Sequence, residues 1–337
     1  MNFLFLFGLP NDGRCVAIID KKGGMRTKIT GAANIKKFIR LPGVQHEFFM
    51  SGTQKSQYFK LNFIPDVIVN EISDADTHSN ALNLASAFCQ NQNKPVINHP
   101  DAIRNTRRDH IAQRLSHIKG LIIPLTIRFQ AQKPNDVIDA INKAKLQYPV
   151  IFRKAGDHGG ISITLLENEA DIETKMHAYA LDNSFFYATQ FVDYQSNDGL
   201  YRKYRIAVVS GQPFLRHLII SNHWLIHSSS RQFMQNKTNL QLEEEQTLRT
   251  FSTTIAPLIS PTISAISQIL ALDYYGIDCT INDHGQILAF EINSNMNILL
   301  NNQPSPNIWE APIQHILTHL HQHVINQCSK EHPYDKL

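Results

Sequence analysis

The segment Tyr274–Leu299, YYGIDCTINDHGQILAFEINSNMNIL, sets two carboxylates inside runs that otherwise read as buried strand. Taking an ionised group out of water is costly unless it is paired or bound. Asp278 and Glu291 therefore constrain the fold more than any other pair. Asn282-Asp283-His284-Gly285 is turn chemistry. Pairing across those four residues sets Ile281 opposite Gln286 and Asp278 opposite Ala289. Asp278, Glu291 and Asn293 then share one face. Ile277, Cys279, Phe290 and Ile292 cover the other, towards a core. Three oxygen-bearing side chains on one patch suit a hard cation such as Mg²⁺, which usually accompanies phosphates. A solvent-facing strand surface is the alternative reading of the same trio.

Composition narrows the class. The chain has 337 residues, 42% hydrophobic and 18% charged, as in globular rather than disordered or fibrous proteins. A net charge of +3 does not argue for nucleic acid or membrane binding, and no basic stripe is interleaved with aromatics. Cys15, Cys89, Cys279 and Cys328 form no CxxC pair and read as free thiols in a reducing compartment. MNFLFLFGLP lacks a basic n-region and a cleavage site, so it reads as a first strand, not a signal peptide. No apolar run approaches the roughly 20 residues that cross a bilayer. A cytoplasmic location is expected; a secreted effector without a readable signal would look the same.

Along residues 1–100, FLFLF, PDVIVNEI and KPVINHP read as strands. Between the last two, Ala81, Leu84, Ala85, Phe88 and Cys89 mark one helix face. That spacing predicts a βαβ unit and a small α/β domain. Beyond it, helices are expected over Asp101–Ile118, 135–147, 168–181, Glu243–Ile255, Pro261–Leu272 and Ile308–Val324. Strands are expected at LTIRF, Tyr148–Arg153, ISITLLE and SFFYATQFV, and a hairpin turns at Ser210-Gly211. This mixture fits α+β lobes. His315, His319 and His323 recur every four residues but lie off the apolar face of the last helix, so a solvated face is favoured over a metal site.

Two further clusters carry chemistry. In FRKAGDHGGISI, a glycine-rich loop joins two strands, and Gly156 to Gly160 offer backbone N–H groups to phosphate oxygens, with Arg153 beside them. It matches neither a Walker loop nor a dinucleotide fingerprint. YRKYRIAVVSGQPFLRHL supplies Arg202, Lys203, Arg205, Arg216 and His217. Guanidinium groups suit phosphate and carboxylate forks, although a solvated basic face reads equally well for Arg202 and Lys203.

In order, the strand–loop–strand of residues 148–167, ATQFVDY, KYRIAVVSGQP, GIDC and FEINSN resemble the ATP-grasp superfamily of carboxylate–amine ligases, closest to its glutathione-synthetase-like branch. The resemblance covers nearly the whole chain. It implies an N-terminal pre-ATP-grasp α/β domain (1–100), then a two-lobed ATP-grasp fold: an N-lobe with a glycine-rich lid (101–188) and a C-lobe with a metal site (189–330). It implies ATP and Mg²⁺, or Mn²⁺ in its place, with Asp278, Glu291 and Asn293 as metal ligands. Arg205 matches the arginine at the terminal phosphate and acyl-phosphate, and Arg216 is a second catalytic candidate. Arg153 replaces a phosphate-binding lysine. Gln190, Phe191 and Val192 match the adenine hinge, with Asp193 or Asp198 towards ribose. Gly156, Gly159 and Gly160 match the lid. In RRDHIAQ, His110 stands where the family usually has another phosphate-binding lysine.

The resemblance implies that a carboxylate is phosphorylated by ATP and the acyl-phosphate is captured by an amine. A non-catalytic ATP-binding switch and a phosphotransferase are the alternatives. Arg202, Lys203, His217 and Asn295 are the substrate candidates. With Arg216, His227 and Arg231, the basic residues among them are compatible with an acidic substrate; an amino acid, a peptide C-terminus or a side-chain carboxylate would all fit. Homodimers are common among enzymes of this kind.

Overall fold

The computed structural model describes residues 1–19, 24–28, 30–52, 60–157, 160, 162–294 and 296–328. The first elements are β1 (Asn2–Gly8), β2 (Val16–Ile19), β3 (Met25–Lys28), α1 (Ile35–Phe38), β4 (Val44–Met50), β5 (Val67–Asn70), α2 (Ser79–Gln92) and β6 (Val96–Ile97). Strands β4, β1, β5 and β6 pair in that order, all parallel. Phe3, Leu4, Phe5 and Leu6 are buried on both faces of β1, as an interior parallel strand requires. The expected α/β unit and its βαβ crossover are present.

The expected helix over Asp101–Ile118 is two helices, α3 (Pro100–Arg104) and α4 (Arg108–Leu115). The Thr106 hydroxyl donates to the Ile103 carbonyl (2.7 Å), and Arg107 is extended, which ends the first helix and re-aims the second. Next come β7 (Leu121–Ile122), β8 (Thr126–Gln130), α5 (Pro134–Ala144), β9 (Val150–Lys154), β10 (Thr164–Leu166), α6 (Ala170–Lys175) and β11 (Phe185–Gln190). Strands β10-β9-β11-β8 form an antiparallel sheet. Val137, Phe152 and Phe186 belong to a core of its own. Of ISITLLE, only Thr164–Leu166 pairs among the described residues.

The remaining elements are β12 (Tyr201–Val209), β13 (Gln212–Ser221), α7 (Arg231–Met234), α8 (Thr238–Thr254), α9 (Ala256–Leu270), β14 (Tyr274–Ile281), β15 (Ile287–Asn293) and α10 (Glu310–Cys328). They build the sheet β13-β12-β14-β15-β7, in which β7 pairs parallel to β15. The β12–β13 hairpin turns at Ser210-Gly211, whose φ of 49° and 78° is the left-handed geometry a two-residue hairpin loop uses. Helix α9 starts earlier than expected, with Pro257 rather than Pro261 in its first turn. Helices α8 and α9 meet at 70°; among the described residues no single helix is long and apolar enough to cross a membrane, although this bent pair passes by length and composition. Ile259, Ile263, Ile266 and Leu270 of α9 are buried in the protein's own core.

On α10, His315 and His319 are exposed. His323 differs from the expected solvated face: it is half-buried, with Nε2 2.8 Å from Asp273 Oδ1. Asp273 also accepts from the Asn98 backbone N–H (2.7 Å) at the end of β6, so this pair helps join the first sheet to the last.

Glu71, fully buried, accepts from the backbone N–H groups of Ile35 (3.1 Å) and Lys36 (2.6 Å) and so pins α1. Burial pushes its carboxyl up to about 7, against those donors and the nearby Lys36 charge. The native state thus holds the proton more tightly than the unfolded chain. Its stability is fullest below the ordinary carboxylate pKa and falls as pH rises through about 7. The shift corresponds to roughly 3 kcal/mol. Denaturant unfolding at pH 5 and pH 8 is expected to show a loss for the wild type that is smaller in Glu71→Gln.

Candidate functional site

Strand register places the charged residues. Ile281 pairs with Ile287 and Cys279 with Ala289, then a bulge at Phe290 sets Asp278 directly opposite Glu291 and Gly276 opposite Asn293. The expected register is therefore wrong, while the shared face of Asp278 and Glu291 stands. Phe290 is the extra residue of the bulge. Instead of covering the core, it lines the cleft, 4.6 Å from the Tyr194 ring. Ile277, Cys279 and Ile292 are buried in the core as expected.

Next along the sheet, Arg205 pairs with both Asp278 and His217. His217, Arg205, Asp278 and Glu291 thus form one rung across four strands. Arg205 grips Asp278 bidentately, Nε to Oδ1 at 2.7 Å and Nη2 to Oδ2 at 2.8 Å, while Nη1 donates to the Asn297 carbonyl (3.2 Å). Lys203 Nζ donates to Asp278 Oδ2 at 3.1 Å. Burial opposes ionisation of Asp278, but Arg205 and Lys203 outweigh it and hold the carboxyl well below the usual range. Glu291 accepts from Arg108 of α4 and from Asn293 Nδ2 (2.6 Å). Burial, followed by Arg205, Arg231 and Arg216, pushes His217 well below its ordinary value and keeps the ring neutral. Its Nε2 is buried without a hydrogen-bond partner.

Arg205, Asp278 and Glu291 of this rung floor a cavity of about 1220 Å³ between the antiparallel β8–β11 sheet, the last sheet and the N-terminal unit. Gln190, Phe191 and Val192 line it; Asp193 does not, and its carboxylate accepts from the Gln195 N–H (3.1 Å). Phe191 meets Trp224 edge-on at 5.4 Å. With Phe290 and Tyr194 these rings make flat apolar walls, suited to a heterocycle. Asp198 pairs with Arg202 instead (2.8 Å).

Arg153 lies on β9, 8% exposed. It donates to the Asp157 carbonyl, while its buried Nε has no partner. Burial, then the Arg108 charge, lowers it to about 10. An under-partnered buried guanidinium in a cleft fits an anion such as a phosphate. Gly156 (φ 81°) and Gly160 (φ 78°) bound the loop above. A Cβ on Gly156 would meet Thr77 and one on Gly160 the His227 ring at 2.1 Å, and both positive φ values strain any side chain, so glycine suits both positions. Gly159 and Asn295 lie outside the described residues.

The donor set also fits Mg²⁺. Among the described residues, no group of three His, Cys, Asp or Glu side chains is arranged to hold a metal. Two carboxylates and an amide are what Mg²⁺ uses when phosphates supply the remaining oxygens.

Several sequence candidates stand elsewhere. Arg202 is held by Glu243 (2.6 Å) and Asp198. Arg216 donates to the carbonyls of Ile298 (2.6 Å) and Leu300 (3.0 Å), so it fastens the segment after Asn293 rather than facing the cleft. Arg231 forks onto Glu244 (2.9 and 3.0 Å), which is 2% exposed. Of the basic cluster, Lys203, Arg205 and His227 line the cavity. His110 does not; its ring meets Arg107 at 2.6 Å. Arg108 lines the cavity in its place. Helix periodicity carried that signal: Arg108 shares a face with Ile111, Ala112 and Leu115, all buried, and His110 does not.

Comparison with known proteins agrees with this architecture. D-Alanine–D-alanine ligase from Bacillus anthracis complexed with ATP superposes at TM-score 0.54 with 9% identity, over 97% of each chain. D-Alanyl-alanine synthetase A from Vibrio cholerae gives 0.54 with 12% identity over 98% of each. The D-alanine–D-alanine ligase from Coxiella burnetii gives 0.55 with 9% identity, over 97% of this chain and 96% of that one. At such identities the likeness is one of fold. No curated protein sequence matches. The model of the RimK-like ATP-grasp domain matches residues 112–304. That span is more than half of the 337 residues, so the chain belongs to the RimK-like ATP-grasp family and with it to the ATP-dependent carboxylate–amine ligases.

Proposed function

We propose that the protein joins the carboxylate of an amino acid or peptide to an amine, with Asp278, Glu291, Asn293, Arg205, Arg153 and Arg108 as its chemical residues. The observation that carries this reading is the rung in which Arg205 bridges Asp278 to the Asn297 carbonyl. It links the phosphate floor to the segment a substrate would face. Members of the family bind ATP and Mg²⁺. Asp278, Glu291 and Asn293 would hold the ion, which when bound draws charge from the phosphate oxygens.

A substrate carboxylate oxygen attacks the γ-phosphorus, the bond from phosphorus to the β–γ bridging oxygen breaks, and ADP leaves with the electron pair. Arg205 and Arg153 face the charge that builds during transfer. The amine then attacks the acyl carbon, the carbon–oxygen bond to phosphate breaks, and phosphate departs. The nitrogen releases a proton to water. Arg108 exchanges Glu291 for the phosphates when nucleotide enters. The loop over residues 155–160 excludes water from the acyl-phosphate.

Incubation with Mg-ATP and a panel of amino acids and short peptides, followed by ADP measurement and mass spectrometry, tests the reading. Amide and ADP should appear in equal amounts. A phosphorylated product that accumulates would instead identify a phosphotransferase, and no turnover would identify a binding module. Glu291→Gln should lower turnover about 100-fold or more with little change in unfolding midpoint. Asp278→Asn should lower turnover as much and, unlike Glu291→Gln, lose about 3 kcal/mol of stability, because Arg205 and Lys203 are left buried without their carboxylate. Arg108→Ala should raise the KM for ATP about tenfold, and His110→Ala should leave it unchanged. Gly160→Ala cannot seat the loop against His227; its signature is a rise in ADP formed per amide, as water reaches the intermediate.

A further inference from the structure

The cavity exceeds what one nucleotide needs. Pockets for a single drug-sized ligand run about 300–1,000 Å³, against about 1220 Å³ here. Past the charged floor its lining continues onto Phe7, Ala33 and Phe38 of the N-terminal unit and onto Met296, Leu299 and Leu300. Ala33, Met296 and Leu299 are buried in one apolar cluster, and Phe7 and Phe38 pack against it. Among the described residues, Lys37 is the one charged side chain lining this part of the cavity; it is exposed, with Nζ 5.2 Å from the Phe38 ring centroid. The start of α1 offers no second seat for an anion, since Glu71 already takes the N–H groups of Ile35 and Lys36. The cations that would answer an acidic side chain are engaged elsewhere: Arg202 with Glu243, Arg231 with Glu244 and Arg216 with backbone carbonyls.

We infer that this part of the cavity receives the side chain of the carboxylate substrate and selects an apolar one, aliphatic or aromatic. The inference rests on the ligase reading above. It differs from the acidic substrate that the basic residues of the sequence would also fit. The segment bearing Met296, Leu299 and Leu300 is held by Arg205 through Asn297 and by Arg216 through Ile298 and Leu300. An apolar side chain seated there lies beside the residues that meet the γ-phosphate. Lys37 apart, a charged side chain in the same place would lose water without gaining a charged partner among the described residues.

The test uses the full chain with Mg-ATP and hydroxylamine, which captures an acyl-phosphate as a hydroxamate whatever the natural amine. Free and N-acetylated leucine, phenylalanine, glutamate and lysine serve as carboxylates, and Mg-ATP affinity is measured separately by titration. The leucine and phenylalanine forms should exceed the glutamate and lysine forms at least ~10-fold in kcat/KM. Leu300→Glu should lower the leucine-to-lysine ratio at least ~10-fold with Mg-ATP affinity retained, and Leu300→Met should keep the wild-type order. Should Leu300→Glu fail to fold, the wild-type panel decides alone. Glutamate or lysine forms reacting as well as leucine overturn the apolar pocket and leave the ligase intact. ADP and hydroxamate from no carboxylate, with Mg-ATP still bound, overturn the ligase reading and this inference with it.

Discussion

Asp278 and Arg205 form the contact on which the rest of the site depends. Asp278 is 4% exposed, and a carboxylate so placed is tolerable only while its charge is answered. Arg205 answers it through two parallel bonds and Lys203 through a third. That demand fixes the neighbours. Arg205 must leave β12 on the same face as Asp278 leaves β14, which sets the register of the central pair. Its remaining nitrogen then draws in the Asn297 carbonyl and places the segment after β15.

Four cations stand at the floor, Arg108, Arg153, Lys203 and Arg205, against the two carboxylates Asp278 and Glu291. Among the residues that line the cavity, positive charge is in excess. On the proposed reading, Mg-ATP, with a net charge of about −2, would offset this excess instead of adding uncompensated charge. The pairs around Asp278 and Glu291 hold these residues in position beforehand, so less ordering is left for the moment of binding. Arg153 differs from the other three: its Nε is buried without a partner, so an anion improves its situation outright.

Much of this was legible in the sequence, and the hairpin shows both how and where reading stops. The turn at Asn282–Gly285 and the alternation of its strands were enough to place Asp278 and Glu291 on one face. The register was not readable. The loop takes one residue more than the turn signal implies, with Ile281 opposite Ile287, and the Phe290 bulge adds one more. Two single shifts restore the period of two, so the faces survive while the partners change. Phe290 pays no such symmetry and turns into the cleft. Roles that depend on distant contacts were not readable either. Arg216 and Arg231 look like free cations in sequence, yet their partners lie 82 and 13 residues away, at Ile298 and Glu244. Counting basic residues overstates the positive charge a substrate meets.

The glycine loop links the site to the whole molecule. Gly156 lies against Thr77 of the N-terminal unit, and Gly160 against His227 in the segment after β13. Below them Asp76 reaches across to β8 and β11, accepting from Arg128 at 3.2 Å and from the Tyr187 hydroxyl at 2.8 Å. Burial raises the Asp76 carboxyl, which marks the contact as dry rather than a loose surface pair. Gly156 and Gly160 thus touch two different units. The sheet that carries Arg153 is therefore positioned by the first unit as much as by its own core. That arrangement explains why Arg153 and Glu291, so far apart in the chain, line one cleft, with Asp76 tying the sheet that carries Arg153 to the first unit.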